Sequence, residues 1–273
     1  MTSIQEWSRP DVRRLNINGI AVAVETVRNG ETERMTLVWL HGLGSASTLA
    51  FAGVARHPRL AGVTSYLIDL PGYGLSDRPG DWTYRIEDQA EVVRKVLAEI
   101  SDAPIALFGH SMGGSIAIAC AVRAPEAAAR LIVAEPNLDP GKGTTSAHIA
   151  SQSEQRFVNR GYRALLRATE QQAGRGDVAA TDWLEPLRVA SPIALHRSAV
   201  SLLAERSPTF REQLAGLAIP WATISGELSP PLEPPLLLNE QLGYVVSGAG
   251  HSMHTENPDG FVAALVDALA PSH

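Results

Sequence analysis

Phe108-Gly109-His110-Ser111-Met112-Gly113-Gly114 is the stretch from which the rest of the chain can be read. The apolar run Pro104-Ile105-Ala106-Leu107 precedes it. Ser115-Ile116-Ala117-Ile118-Ala119-Cys120-Ala121 follows, small and apolar enough for a buried helix. A strand enters, a serine sits at the corner and a helix leaves, the context that gives the pattern G-x-S-x-G its meaning as a nucleophile elbow rather than a Gly/Ser turn. A serine on so sharp a bend needs neighbours without bulk two positions either side, which Gly109 and Gly113 supply. Gly114 leaves room where the helix crosses the sheet. The first N–H groups of that helix point at the space above Ser111 Oγ, where a negatively charged oxygen would be stabilised.

Continuous apolar runs flank this corner on both sides in sequence. Met35-Thr36-Leu37-Val38-Trp39-Leu40 reads as a strand buried on both faces and ends in His41-Gly42-Leu43-Gly44. Tyr66-Leu67-Ile68-Asp69-Leu70 is the next such run and stops at Pro71-Gly72-Tyr73-Gly74. Leu131-Ile132-Val133-Ala134 closes on Glu135-Pro136. Trp221–Gly226 and Tyr244–Gly248 come much later, and Pro258–Leu269 reads as the final helix. The spacing of Val92, Val93, Val96, Leu97 and Ile100 predicts an amphipathic helix over Ile86–Ile100. At the start, Asn18-Gly19 between alternating segments predicts a hairpin. Strands alternating with helices imply an α/β fold with a mostly parallel central sheet flanked by helices.

The rhythm breaks over 137–207, where apolar residues such as Phe157, Tyr162, Leu165, Leu166, Val200, Leu202 and Leu203 recur at helical spacing. A structureless loop of that length would be anomalous, so an inserted helical segment is expected. The predicted organisation is a core of residues 1–136 and 208–273 interrupted by a helical insertion at 137–207.

Composition bounds the partners. The 273 residues are 45% hydrophobic and 19% charged, ordinary values for a soluble globular protein. Lys and Arg number 23 against 29 Asp and Glu, a net charge of −6 without a basic block, so neither nucleic acid nor an anionic membrane is an expected partner. The single cysteine, Cys120, excludes an internal disulfide and reads as a buried thiol. With no apolar leader and no long apolar run, the expectation is a cytoplasmic protein acting on a small molecule. No metal-ligand spacing, nucleotide-binding glycine pattern or P-loop occurs, so neither cofactor nor metal is expected.

With these pieces placed, the chain resembles the α/β-hydrolase superfamily over nearly its whole length outside the insertion. His41-Gly42-Leu43-Gly44 resembles the H-G-x-G oxyanion loop of that family. Asp69-Leu70-Pro71-Gly72-Tyr73-Gly74-Leu75-Ser76 is similar to its D-x-P-G-x-G-x-S loop, Gly109–Gly114 to its G-H-S-M-G-G elbow, and Gly248-Ala249-Gly250-His251 to its terminal G-x-G-H segment. The insertion falls where the family carries a helical cap. The resemblance implies Ser111 as nucleophile, His251 as base, and the N–H groups of Leu43 and Met112 as the oxyanion hole. Family members that open epoxides or carbon–halogen bonds attack with an aspartate at the elbow; a serine implies acyl transfer, on a small ester, thioester or lactone.

The family's acid position is the departure. Gly226-Glu227-Leu228-Ser229 puts a serine where an aspartate is usual, and a serine cannot balance an imidazolium. A minority of the family takes the acid from the strand after the nucleophile helix, which here ends on Glu135. Glu135 is therefore the expected acid, with Glu227 and Asp139 as alternatives. Of the eight histidines, His41 is expected to brace the oxyanion loop and His110 to pack behind the elbow, with His254 and His273 structural. Asp69 is expected to tie loops together. Two further readings remain at this point. One is carbon–carbon bond hydrolysis of a diketone-like substrate held through Arg160, Arg163 and Arg167; the other is a non-catalytic receptor on the same fold.

Overall fold

Asn18 and Gly19 take positive φ angles of 52° and 86°, the left-handed pair that turns one strand back on the next. They join β1 (Val12–Ile17) to β2 (Ile20–Arg28), the antiparallel start of an eight-stranded sheet. The structure is a computed structural model that describes residues 11–30, 33–100, 105–141, 143–231 and 242–270. The later strands are β3 (Met35–Leu40), β4 (Val63–Ile68), β5 (Ile105–His110), β6 (Arg130–Ala134), β7 (Trp221–Gly226) and β8 (Leu242–Val246). Their spatial order is β1-β2-β4-β3-β5-β6-β7-β8, and every pair from β4 onward is parallel. The nucleophile-candidate strand β5 thus lies mid-sheet between β3 and β6.

The helices in chain order are α1 (Ser47–Ala50), α2 (Ala52–Ala55), α3 (Ile86–Ile100), α4 (Met112–Arg123), α5 (Thr144–Ala150), α6 (Glu154–Arg156), α7 (Tyr162–Ala173), α8 (Val178–Val189), α9 (Pro192–Leu203), α10 (Phe210–Ala215), α11 (Met253–Glu256) and α12 (Pro258–Leu269). Among the described residues, no strand interrupts the helical run between β6 and β7. None of the helices is long and apolar enough to cross a membrane.

Period-2 alternation sorts each central strand between two cores. Val38 and Leu40 of β3, Leu107 of β5 and Val133 of β6 face α3, α4 and the helical run. Leu37 and Trp39, Phe108 and Ile132 face α1, α2 and α12. On that second face Trp39, Phe51, Phe108 and Phe261 interlock, with centroids of Trp39 and Phe108 5.1 Å apart edge to face. Burying side chains of this size contributes about 1.5–3 kcal/mol each, which makes a rigid floor beneath the carboxyl ends of the strands. Cys120 lies buried in α4, and desolvation pushes its thiol up to about 12, so it stays protonated.

Candidate active site

The corner at Ser111 is strained. Its φ of 53° and ψ of −120° lie where a residue with a side chain is rarely found, and its N–H donates to Ala134 O at 2.8 Å. A Cβ on Gly109 would come within 2.3 Å of Gly113 O, and one on Gly113 within 2.3 Å of Leu40 O, so only glycine lets α4 leave the sheet this sharply. Ser111 Oγ makes no hydrogen bond to another described residue. Nor are the N–H groups of Leu43 and Met112 engaged by other described residues, which leaves two donors available beside the hydroxyl.

The His251 imidazole is half exposed, and its Nδ1–H donates to Glu135 Oε2 at 2.6 Å. Glu135 follows β6 in a left-handed backbone conformation, φ 43°, that turns its side chain across the end of β7. There Glu135 Oε1 accepts the Gly226 N–H at 2.8 Å. Burial alone would raise this carboxyl. Hydrogen bonds from His251, the Ser229 hydroxyl and Gly226 N–H, together with the nearby imidazole, outweigh it and hold the group below the usual carboxylate range. An ionised carboxylate only accepts, so Nδ1 of His251 carries the proton of this bond and Nε2 is the ring nitrogen left facing away from Glu135. Gly226 permits the approach: a Cβ there would lie 2.3 Å from Gly250 O and 2.4 Å from Ala249 O.

The other two candidate acids are engaged elsewhere. Glu227 Oε2 takes Ser247 Oγ–H at 2.8 Å and Gly248 N–H at 2.7 Å, bonds that lower its pKa and pin the turn after β8. Asp139 is held by the Arg211 guanidinium, with Nη2 to Oδ2 at 2.7 Å, and so ties the loop after β6 to α10. It does not cap the next helix. Gly143 precedes α5, with no side-chain cap.

Three further histidines surround the pair. His110 is buried; desolvation holds its pKa well below the ordinary value, so it is neutral and its Nε2–H donates to His251 O at 2.8 Å. Its ring lies 4.6 Å, centroid to centroid, from that of His251. The packing expected of His110 is therefore also a grip on the backbone of the base candidate. His254 is buried and pairs with Asp182 of α8, Nε2 to Oδ2 at 3.3 Å. His273 lies outside the described residues. His41 Nε2 accepts Leu70 N–H at 3.1 Å, which obliges Nδ1 to carry the proton and donate to Gly42 O at 2.8 Å. Desolvation lowers its pKa to about 4, fixing that neutral tautomer. Asp69 ties two loops together through Thr48 and Leu75.

Arg160, Arg163 and Arg167 are exposed. Arg160 lines a cavity of about 460 Å³ formed by residues between Gln152 and Ala164, and none of Ser111, His251 or Glu135 borders it.

The family model described as alpha/beta hydrolase fold matches residues 36–178, a span that runs from β3 through the elbow and β6 into α8. The chain belongs to that family. It is 31% identical over 250 residues to the pimeloyl-[acyl-carrier protein] methyl ester esterase of Edwardsiella ictaluri, covering 85% of this chain and 92% of that one. A solved hydrolase from Pseudomonas aeruginosa superposes with a TM-score of 0.76 at 20% identity, covering 96% of this chain and 100% of the other. A solved N-acyl homoserine lactonase superposes with a TM-score of 0.74 at 22% identity, covering 96% and 98%. By fold and by kin, this α/β hydrolase is a hydrolytic enzyme.

One contact beside the candidate site was not marked in the sequence. Trp183 of α8 donates its Nε1–H to Leu43 O at 2.9 Å. Nothing in the spacing of the helical segment marks that tryptophan apart from Trp82 or Trp221.

Proposed function

We propose that this protein is a serine esterase that cleaves a small ester, thioester or lactone through an acyl-enzyme on Ser111. The observation that carries the reading is the 2.6 Å bond from His251 Nδ1–H to Glu135, which leaves Nε2 basic in the loop behind the elbow. Ser111 Oγ attacks the substrate carbonyl carbon while His251 Nε2 takes its proton. The carbonyl π pair moves onto oxygen, and the N–H groups of Leu43 and Met112 receive the oxyanion. The oxyanion collapses, the bond to the leaving alcohol or thiol breaks, and the Nε2 proton goes to that leaving group. Water then repeats the sequence on the acyl-enzyme, its proton passing through Nε2 back to Ser111. Glu135 stays ionised throughout and balances the transient imidazolium.

Residues 137–207 act as a cap over this chemistry in the same proposal, with the half-buried Leu43 side chain lining the acyl site and Met112 packed in the core. The methyl ester esterase among its relatives and the lactonase among its structural neighbours act on substrates of this electrophilic class. Ser111→Ala should abolish turnover of p-nitrophenyl butyrate, by at least about 10⁴-fold. A rate in that variant equal to the parent's ends the proposal.

A further inference from the structure

Leu43 is held on both sides of its Cα. The Gly42 carbonyl and the Leu43 N–H share one peptide plane and point in opposite directions, so whatever fixes the carbonyl aims the N–H. His41 Nδ1–H at 2.8 Å and Ser45 N–H at 3.1 Å fix it. The following plane is different. Its carbonyl, Leu43 O, is held by Trp183 Nε1–H at 2.9 Å, a donor 140 residues further along the chain. Gly44 makes this contact possible. It sits at φ 73°, and a Cβ on it would come 2.9–3.1 Å from three atoms of the indole, so the ring rests directly on bare backbone. Asp182, the residue before, pairs with His254, three positions after His251. Neighbouring residues of α8 therefore touch the loop that carries Leu43 and the short helix α11 that follows His251.

We propose that Trp183 is a positioning residue for the oxyanion hole, acting through the Leu43–Gly44 peptide, so that the hole is fully formed only while α8 is seated on the core. This rests on the esterase reading above. The Leu43–Gly44 plane is free to swing only by rotation about Leu43 ψ and Gly44 φ, and glycine offers little resistance to that rotation. Without the indole N–H the Leu43–Gly44 plane is free to swing; Leu43 Cα, the hinge it shares with the Gly42–Leu43 plane, is then held from one side only, and its displacement carries that plane and the Leu43 N–H off the developing oxyanion for part of the time. Donors that must be in place before charge develops stabilise the transition state more than the bound substrate.

Trp183→Phe keeps a ring against Gly44 and removes the N–H. With p-nitrophenyl butyrate, and rates normalised to sites titrated by a fluorophosphonate so that only folded enzyme counts, kcat should fall by about tenfold with KM nearly unchanged. Butylboronic acid, which forms a tetrahedral adduct on Ser111, should bind about tenfold more weakly in parallel. A purely structural role would lower the titrated fraction or the unfolding temperature and leave kcat per site and boronate affinity alone; that result overturns the inference. So does a rise in KM at constant kcat, which would make the indole a substrate contact. If Ser111→Ala retains turnover, the esterase reading itself fails; if Ser111→Ala is dead and Trp183→Phe is unchanged per site, only the positioning role falls.

Discussion

Replacing Glu135 by glutamine tests the chemistry at its least ordinary point. Both carboxylate oxygens are committed as acceptors, Oε1 to Gly226 N–H at 2.8 Å and Oε2 to His251 Nδ1–H at 2.6 Å. Glutamine has the same shape but offers one acceptor and one NH₂ donor. If its oxygen serves Gly226, the NH₂ faces Nδ1, the imidazole proton moves to Nε2, and the base can no longer take the Ser111 proton. If its oxygen serves His251, the Gly226 N–H meets a donor and the counter-charge is still lost. Either way kcat should fall by about 10³–10⁴, or about 4–5.5 kcal/mol of transition-state stabilisation, with KM within about threefold. Initial rates on p-nitrophenyl butyrate measure this. Glu227→Gln is the control, because its carboxylate serves Ser247 and Gly248 and does not reach His251; its rate should stay within about twofold. A Glu135→Gln enzyme within tenfold of the parent, or a collapse in Glu227→Gln instead, refutes the reasoning.

Two other perturbations read the scaffold. His41 is kept neutral by burial with a pKa near 4, against an ordinary value of 6.5. Between those values the unfolded chain binds a proton that the folded protein does not, so stability is lost as pH falls from about 6.5 toward about 4, by about 3 kcal/mol in all. His41→Gln, whose amide can still accept from Leu70 and donate to Gly42, should lose that slope in urea unfolding measured at several pH values; parallel curves for the two proteins would remove His41 as the cause. Gly226→Ala forces a methyl against the carbonyls of Ala249 and Gly250, at 2.4 and 2.3 Å before relaxation. It should cost about 2 kcal/mol or more in stability and lower kcat by moving His251 away from Glu135, seen in a thermal scan together with rates per titrated site.

Much of the scaffold was legible because apolar periodicity is a local property. The runs at Met35–Leu40 and Trp221–Gly226 and the stripe over Ile86–Ile100 match the strands and helix with the same limits. The elbow was legible for the same reason: strand, glycine-flanked serine and helix are adjacent in the chain. What depends on distance across the fold could not be read. Glu135, Glu227 and Asp139 are all carboxylates beyond strand ends; the family resemblance favoured Glu135, but the contact itself, Glu135 against the His251 imidazole, is seen only in the fold. Trp183 is invisible on similar grounds, since its partner is a backbone carbonyl and leaves no mark on the sequence around it.

The choice among those carboxylates has a geometric logic. β6 and β7 are parallel neighbours with Ala134 opposite Ile224, so β7 runs two residues past the end of β6 and Glu135 lies alongside its last turn of pleat. Glu135 N–H still pairs with Ile224 O at 3.1 Å, which anchors the residue at that level before its left-handed φ turns the side chain toward β7. The side chain so turned reaches both the Gly226 N–H and the His251 imidazole. In this chain Ser229, at the position where the family places its acid, turns its hydroxyl to Glu135 and helps hold the carboxyl ionised. The substitution at 229 does not remove a charge from the site; it leaves a donor that supports the charge one strand over. A family aspartate restored at 229 beside Glu135 would put two carboxylates on one imidazole, and mutual repulsion would raise the pKa of one of them. In the esterase proposed above, the serine at 229 thus supports the charge of Glu135 where a second carboxylate would oppose it.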